Sequence, residues 1–214
     1  MAPAAKTLTF TFNHPFRVGS GLGFGLFYDH TTVRDGYWLP YIPGSTIKGR
    51  LRSLCRRVAL SLAAQDPNFS HICQTLSTSE VCKPAPGKKP CIICRMFGSR
   101  FWPGSWRFGD AQVVTADRER LLQLQLIYPG KSFLLKDPPR TQVQINRRRR
   151  VAQPKHLFSG EVVPETLTFQ SQITPLVISI TPLEEQLLGW GATLFTHLGA
   201  QKSRGLGRCS VALA

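Results

Sequence analysis

A chain of 214 residues, 42% of them hydrophobic, has enough apolar mass for one sizeable core, which excludes global disorder. Its 27 Lys and Arg against 12 Asp and Glu leave a net charge of +15, which points to a polyanionic partner. No apolar run approaches the ~20 residues that span a bilayer and the start lacks a signal-peptide apolar region, so a cytoplasmic protein with no membrane partner is expected.

Residues 8–16 alternate, with Leu8, Phe10 and Phe12 set against Thr7, Thr9 and Thr11, which predicts a strand with one buried face. The glycine-rich stretch at 19–25 is too flexible for a regular element. Two short extended pieces, 28–33 and 37–42, then lead to Pro43-Gly44-Ser45. Ser45 is a good N-cap, and Ile47, Leu51, Leu54, Val58 and Leu62 recur at helical spacing, so a helix is predicted over 46–64. Lys48, Arg50, Arg52, Arg56 and Arg57 occupy its other faces. Periodicity then lapses, and residues 66–95 read as an insertion that holds most of the cysteines.

Residues 105–114 read as a second strand, and 115–165 as a basic excursion, an irregular hairpin or protruding loop around Asn146 and the arginines at 147–150. Alternation returns at 166–180, a third strand. Thr181-Pro182-Leu183-Glu184 is a capping-box start with Pro at the first helical position. That helix is predicted to run through Leu187, Trp190, Leu194 and Leu198 and to stop at Gly199. A loop at 200–207 delivers a last strand at 208–213. The order is β–α–β, a long excursion, then β–α–β. It predicts an α+β fold spanning 1–214 as a single domain, with a ferredoxin-like or RRM-like core in which two helices cover one face of an antiparallel sheet.

Two segments suit phosphate. Residues 43–52 put backbone N–H groups, the hydroxyls of Ser45 and Thr46, and the cations Lys48, Arg50 and Arg52 at one helix start, where partial positive charge gathers. The competing reading is an ordinary capped helix with a solvated basic face. The spacing is not that of a P-loop. At 198–208, small residues let the main chain approach a ligand while Lys202, Ser203, Arg204 and Arg208 supply charge and a hydroxyl. Arg147, Arg148, Arg149 and Arg150 form a third basic element.

His71, Cys73, Cys82, Cys91 and Cys94 fall within one short stretch. The Cys-x-x-Cys at 91–94 supplies two corners of a tetrahedral structural Zn²⁺ site, which Cys82 and either Cys73 or His71 complete. The loop at 84–90 has little core of its own, so a metal staple would help it. A redox pair is disfavoured by the irregular surroundings. Cys55 and Cys209 read as core residues.

Taken together, Tyr41-Ile-Pro-Gly-Ser-Thr-Ile-Lys-Gly-Arg-Leu-Arg52, Cys94-Arg-Met-Phe-Gly-Ser99, Phe108-Gly-Asp-Ala111 and the loop at 198–207 resemble the RAMP superfamily of CRISPR proteins. Order and spacing most resemble the repeating backbone subunit of type III effector complexes, over nearly the whole chain. The resemblance implies an RRM-like core, a zinc-binding insertion, and a thumb hairpin that kinks the guide RNA. It implies crRNA, target RNA and neighbouring effector subunits as partners, with Arg147–150 near bound RNA.

The resemblance also implies an endoribonuclease. An Asp on the loop before the Ile-Pro-Gly-Ser helix cleaves target RNA with a divalent metal, and Asp29 falls at the matching position. That chemistry requires a carboxylate that holds Mg²⁺ near the scissile phosphate. His30 beside it is a candidate proton shuttle or an exposed residue, and Asp35, before Gly36, reads as a turn residue. Two alternatives stay open: a catalytically silent architectural or capping subunit, and a guide-processing ribonuclease using His14, His30, His71, His156 or His197. The sparse terminal loop (Gly-Ala-Gln-Lys-Ser-Arg-Gly) and the short chain are the departures from the family pattern that leave the first of these open.

Overall fold

The alternation at the start of the chain forms strand β1 (Lys6–Phe12), whose Leu8, Phe10 and Phe12 are buried. A computed structural model describes residues 4–23, 28–73, 82–83, 87, 89–127 and 140–214. In chain order follow α1 (Gly44–Leu62), α2 (Ile92–Phe97), β2 (Trp106–Phe108), β3 (Gln112–Val113) and α3 (Thr115–Ile127). Then come β4 (Arg140–Asn146), β5 (Val151–Gly160), β6 (Thr168–Pro175), α4 (Pro182–Thr193) and β7 (Cys209–Leu213). Much of the predicted loop at 84–90 and the middle of the 115–165 excursion lie outside the described residues.

The main sheet has five strands in the order β2-β6-β1-β7, with β3 also paired to β6, and every pairing is antiparallel. Register places Phe10 beside Phe169 on one side and Val211 on the other, so the apolar residues of the strands share a face. Thr7, Thr9, Gln170 and Gln172 hydrogen-bond across the opposite, polar face. Helices α1 and α4 approach closely at Cys55, whose thiol donates to the Leu187 carbonyl at 3.3 Å. No helix among the described residues is long and apolar enough to cross a membrane.

Several boundaries differ from the predicted ones. Ser45 is not the N-cap. Helix α1 begins at Gly44 after Pro43 without a side-chain cap on its own strand of sequence. Instead Asp110, far along the chain, accepts from the Gly44 N–H at 2.7 Å. Gly44 is obligatory there, because a Cβ would run into the carbonyl of Phe108 and the backbone of Gly109. The pieces at 28–33 and 37–42 form isolated bridges rather than strands. Asp35 turns the chain, its Oδ1 accepting from the N–H groups of Tyr37 and Leu39 at 2.9 Å each, as its place before Gly36 suggests.

The predicted strand at 105–114 is broken into β2 and β3 at Gly109-Asp110, where the Gly109 N–H donates to the Gln172 carbonyl and its own carbonyl accepts from the Ser171 hydroxyl. Helix α4 has the expected capping box at Thr181 and Glu184 but ends at Thr193, not Gly199. There the Thr196 carbonyl accepts from the Cys209 N–H, drawing the chain into the lead of β7. The excursion contains an unforeseen helix, α3, followed by the β4–β5 hairpin, a two-stranded sheet of its own.

Candidate nucleic-acid interface and metal centre

The two phosphate-friendly segments, about 150 residues apart in sequence, converge on one groove. Ser45, Thr46, Gly49, Arg50 and Ser53 of α1 form one wall, and His197, Leu198, Gly199, Ala200 and Lys202 the other, around a volume of about 530 Å³. The terminal loop is held in place by the strand-side segment: the Gly207 N–H donates to Pro15 at 2.9 Å and the Ala200 N–H to Arg17 at 2.8 Å. Gly207 has φ +72°, and a Cβ there would strike the Leu198 carbonyl, so the tight return needs glycine. Ser203 and Arg204 lie on the short 3-10 turn Lys202–Arg204 beside the groove.

Among the described residues no carboxylate lines the groove. Burial, then the neighbouring Arg50 charge, lowers the Lys202 pKa from its usual value. Neither residue is in an ion pair among the described residues. An anion between them relieves both costs. Two expectations are narrowed. Lys48 and Arg52 sit on a different stripe of α1 and do not line the groove. The helix start also offers fewer free donors than expected, because the Gly44 N–H binds Asp110 and those of Thr46 and Ile47 bind the Pro43 carbonyl.

Arg147, Arg148, Arg149 and Arg150 occupy the exposed turn of the β4–β5 hairpin. Asn146 shapes that turn, its Oδ1 accepting from the N–H groups of Arg148 and Arg149 at 3.1 Å each. At the other end the hairpin base docks on the terminal loop. Gln142 and Gln201 exchange amide hydrogen bonds at 2.7 and 3.0 Å, Arg204 donates to Gln142, and Arg140 donates to the Arg204 carbonyl at 2.7 Å.

Asp29 lies on the segment that runs along the same hairpin base. Its N–H donates to the Ser159 carbonyl at 3.0 Å, and its Oδ2 accepts from the Ser159 N–H at 2.7 Å and hydroxyl at 3.3 Å. The carboxylate is exposed, and His30 beside it is exposed too. A buried Glu161, which no sequence motif singles out, fixes this segment by accepting from the Thr32 N–H at 3.0 Å and pairing with Arg34. Helix α3 braces its far end, where Arg118 meets Asp35 at 3.4 Å and Gln125 donates to the Tyr37 carbonyl.

The sulfur atoms of Cys73, Cys82, Cys91 and Cys94 all lie within 4.8 Å of one another and could hold a metal ion. Zinc–sulfur bonds of about 2.3 Å in a tetrahedron put sulfurs about 3.8 Å apart. Cys73 stands 3.8 Å from Cys94 and 3.7 Å from Cys91, and 3.1 Å from Cys82, so the set fits such an ion. His71 instead sits outside this set, its Nε2 3.8 Å from Cys82 Sγ. Hydrogen bonding from Cys94 holds the Cys91 thiol down to about 4. The bond to Cys91, then burial, raises Cys94, and burial first raises Cys73 to about 11. The cluster is tied to α1 through Arg56, whose Nε donates to the Cys73 carbonyl at 2.8 Å.

An antiparallel α+β fold with a cationic groove, a basic hairpin and a four-cysteine cluster defines the class of protein. The chain belongs to the RAMP superfamily, whose family model matches residues 9–210. A chain in the cryo-EM structure of the Type III-B Cmr-beta bound to cognate target RNA superposes with a TM-score of 0.58 at 12% identity, over 99% of this chain and 98% of that one. A chain of the Type III-B Cmr-beta in the apo state gives 0.58 at 13% identity, over 98% and 97%. A search of curated protein sequences gives no match.

Proposed function

We propose that this chain is a backbone subunit of a cytoplasmic CRISPR type III effector complex, binding the crRNA phosphate backbone beside neighbouring subunits. The observation that carries the reading is the groove, where Thr46 and Arg50 face Lys202 on a glycine-shaped loop and no described ion pair engages either cation. Family membership and the Cmr-beta likeness support it. The strand order β7-β1-β6-β2, with α1 and α4 in the two crossovers, supports a ferredoxin-like core. The β4–β5 hairpin is then the thumb, and Arg147–150 at its tip meet RNA. Cys73, Cys82, Cys91 and Cys94 hold a structural zinc.

We further propose that the subunit cleaves complementary target RNA through Asp29. Ser159 engages Asp29 through Oδ2, and Oδ1 is the oxygen offered as a ligand, with RNA phosphates supplying the rest of the Mg²⁺ shell. The bound ion would neutralise charge at the scissile phosphate. The grip of Ser159 on Oδ2 favours a second reading, in which Asp29 only pins the hairpin base. Asp29→Ala in the assembled complex separates them. Loss of Mg²⁺-dependent target cleavage with guide binding intact supports catalysis, and unchanged cleavage overturns it.

A further inference from the structure

Between the hairpin base and the terminal loop lies a second cavity, of about 170 Å³, lined by Arg17, His30, Arg140, Gln142, Ser159 and Arg204 among others. It is distinct from the groove, with which it shares no lining residue. Among the described residues no carboxylate lines it.

Arg17 is the anomaly. The residue is 7% exposed, its Nε alone is buried without a partner, and its guanidinium makes no hydrogen bond or ion pair among the described residues. A buried cation without a counter-charge is costly, and burial alone is what lowers its pKa from the usual value. The fold nonetheless fixes it. The Arg17 carbonyl accepts from Ala200, and Gly160 lacks the Cβ that would strike the guanidinium NH1. Arg140 and Arg204, by contrast, are committed through the hydrogen bonds that join the hairpin to the loop. A planar fork of donors in a polar, acid-free cavity beside two further arginines suits a tetrahedral oxyanion.

We propose that this cavity binds one phosphodiester of the RNA strand, with Arg17 as its main ligand and Arg140 and Arg204 at its rim. The assignment rests on the RNA-binding reading above, and Ser159 joins the two, since it both borders the cavity and holds Asp29. A phosphate seated there would set the hairpin base, and with it the Asp29 segment, against the bound strand.

Two variants of the full chain test this. Arg17→Met removes the charge, and Gly160→Ala keeps every charge while its methyl forces the guanidinium NH1 to shift from its place in the cavity. Each is expected to bind a single-stranded RNA about tenfold more weakly than wild type, and Arg17→Met to lower the slope of log K against log salt by about one. Inorganic phosphate is expected to raise the melting temperature of wild type more than that of Arg17→Met, in which the groove is left as the phosphate site. Wild-type RNA affinity in both variants overturns the proposal. So does phosphate stabilisation that is undiminished in Arg17→Met. Lost phosphate stabilisation with unchanged RNA affinity assigns the cavity to a free anion and overturns the RNA assignment. Arg50→Gln, measured in parallel, reports on the groove alone, so failure of the groove reading and failure of this one give different patterns.

Discussion

Asp110 shows how much a single residue outside any predicted site does. It caps α1 from a distant loop, and its negative charge sits at the helix start where an anion would otherwise gather. Asp110→Ala is expected to cost about 1–2 kcal/mol of stability, read as a lower urea midpoint. An unchanged midpoint would show that water replaces it. The buried thiols give a second prediction at this scale. Burial pushes Cys55 and Cys209 from 9.0 up to about 12. The unfolded thiol ionises first, so their stability contribution is full below about pH 9 and falls as pH rises towards 12, by up to about 1.4 kcal/mol per pH unit for each thiol. Urea titrations across that window are expected to show a shallower fall in Cys55→Ala; an identical fall would contradict this origin. Neither Asp110 nor Arg17 was legible as a functional residue. Asp110 acts only through a contact 66 positions away. Arg17 carried one local signal, a cation between Phe16 and Val18 in an otherwise apolar run.

At the scale of elements, what could be read was what local chemistry dictates. The alternation of β1, the helical spacing of α1 and the Thr181–Glu184 capping box each specify their element without help from the rest of the chain. Helix α3 escaped because only Leu121 is buried on it, so no apolar stripe marks it. The 28–42 segment escaped in the opposite sense. It looks extended but is held by Glu161, Asp35 and α3 rather than by a ladder. The cysteine set was legible from Cys-x-x-Cys, while the choice of Cys73 over His71 as the closer fourth group needed coordinates. The account expects one zinc per chain in purified protein. Chelation or Cys94→Ser is expected to lower the melting temperature, because the cluster anchors α2 and touches α1 through Arg56. Negligible zinc by elemental measurement would contradict this.

Over the whole molecule, the fold gathers positive charge where sequence order would scatter it. Three places share part of the Lys and Arg: Arg50 and Lys202 in the α1–loop groove, Arg17, Arg140 and Arg204 around the second cavity, and Arg147–150 at the hairpin turn. The described ion pairs draw on Lys6, Arg34, Arg95 and Arg118, and leave the groove cations free. The sequence made each basic segment visible but could not show that two of them form opposite walls of one groove, or that Lys48 and Arg52 stand outside it. In the proposed reading, the convergence turns a general attraction for polyanions into a defined track for a phosphate backbone. The most direct test is the salt dependence of single-stranded RNA binding by wild type and by Arg50→Gln/Lys202→Gln. The account predicts a linear log–log plot whose slope falls by about one to two in the double variant, with affinity reduced at every salt concentration. An unchanged slope and affinity would contradict the claim that this groove grips RNA.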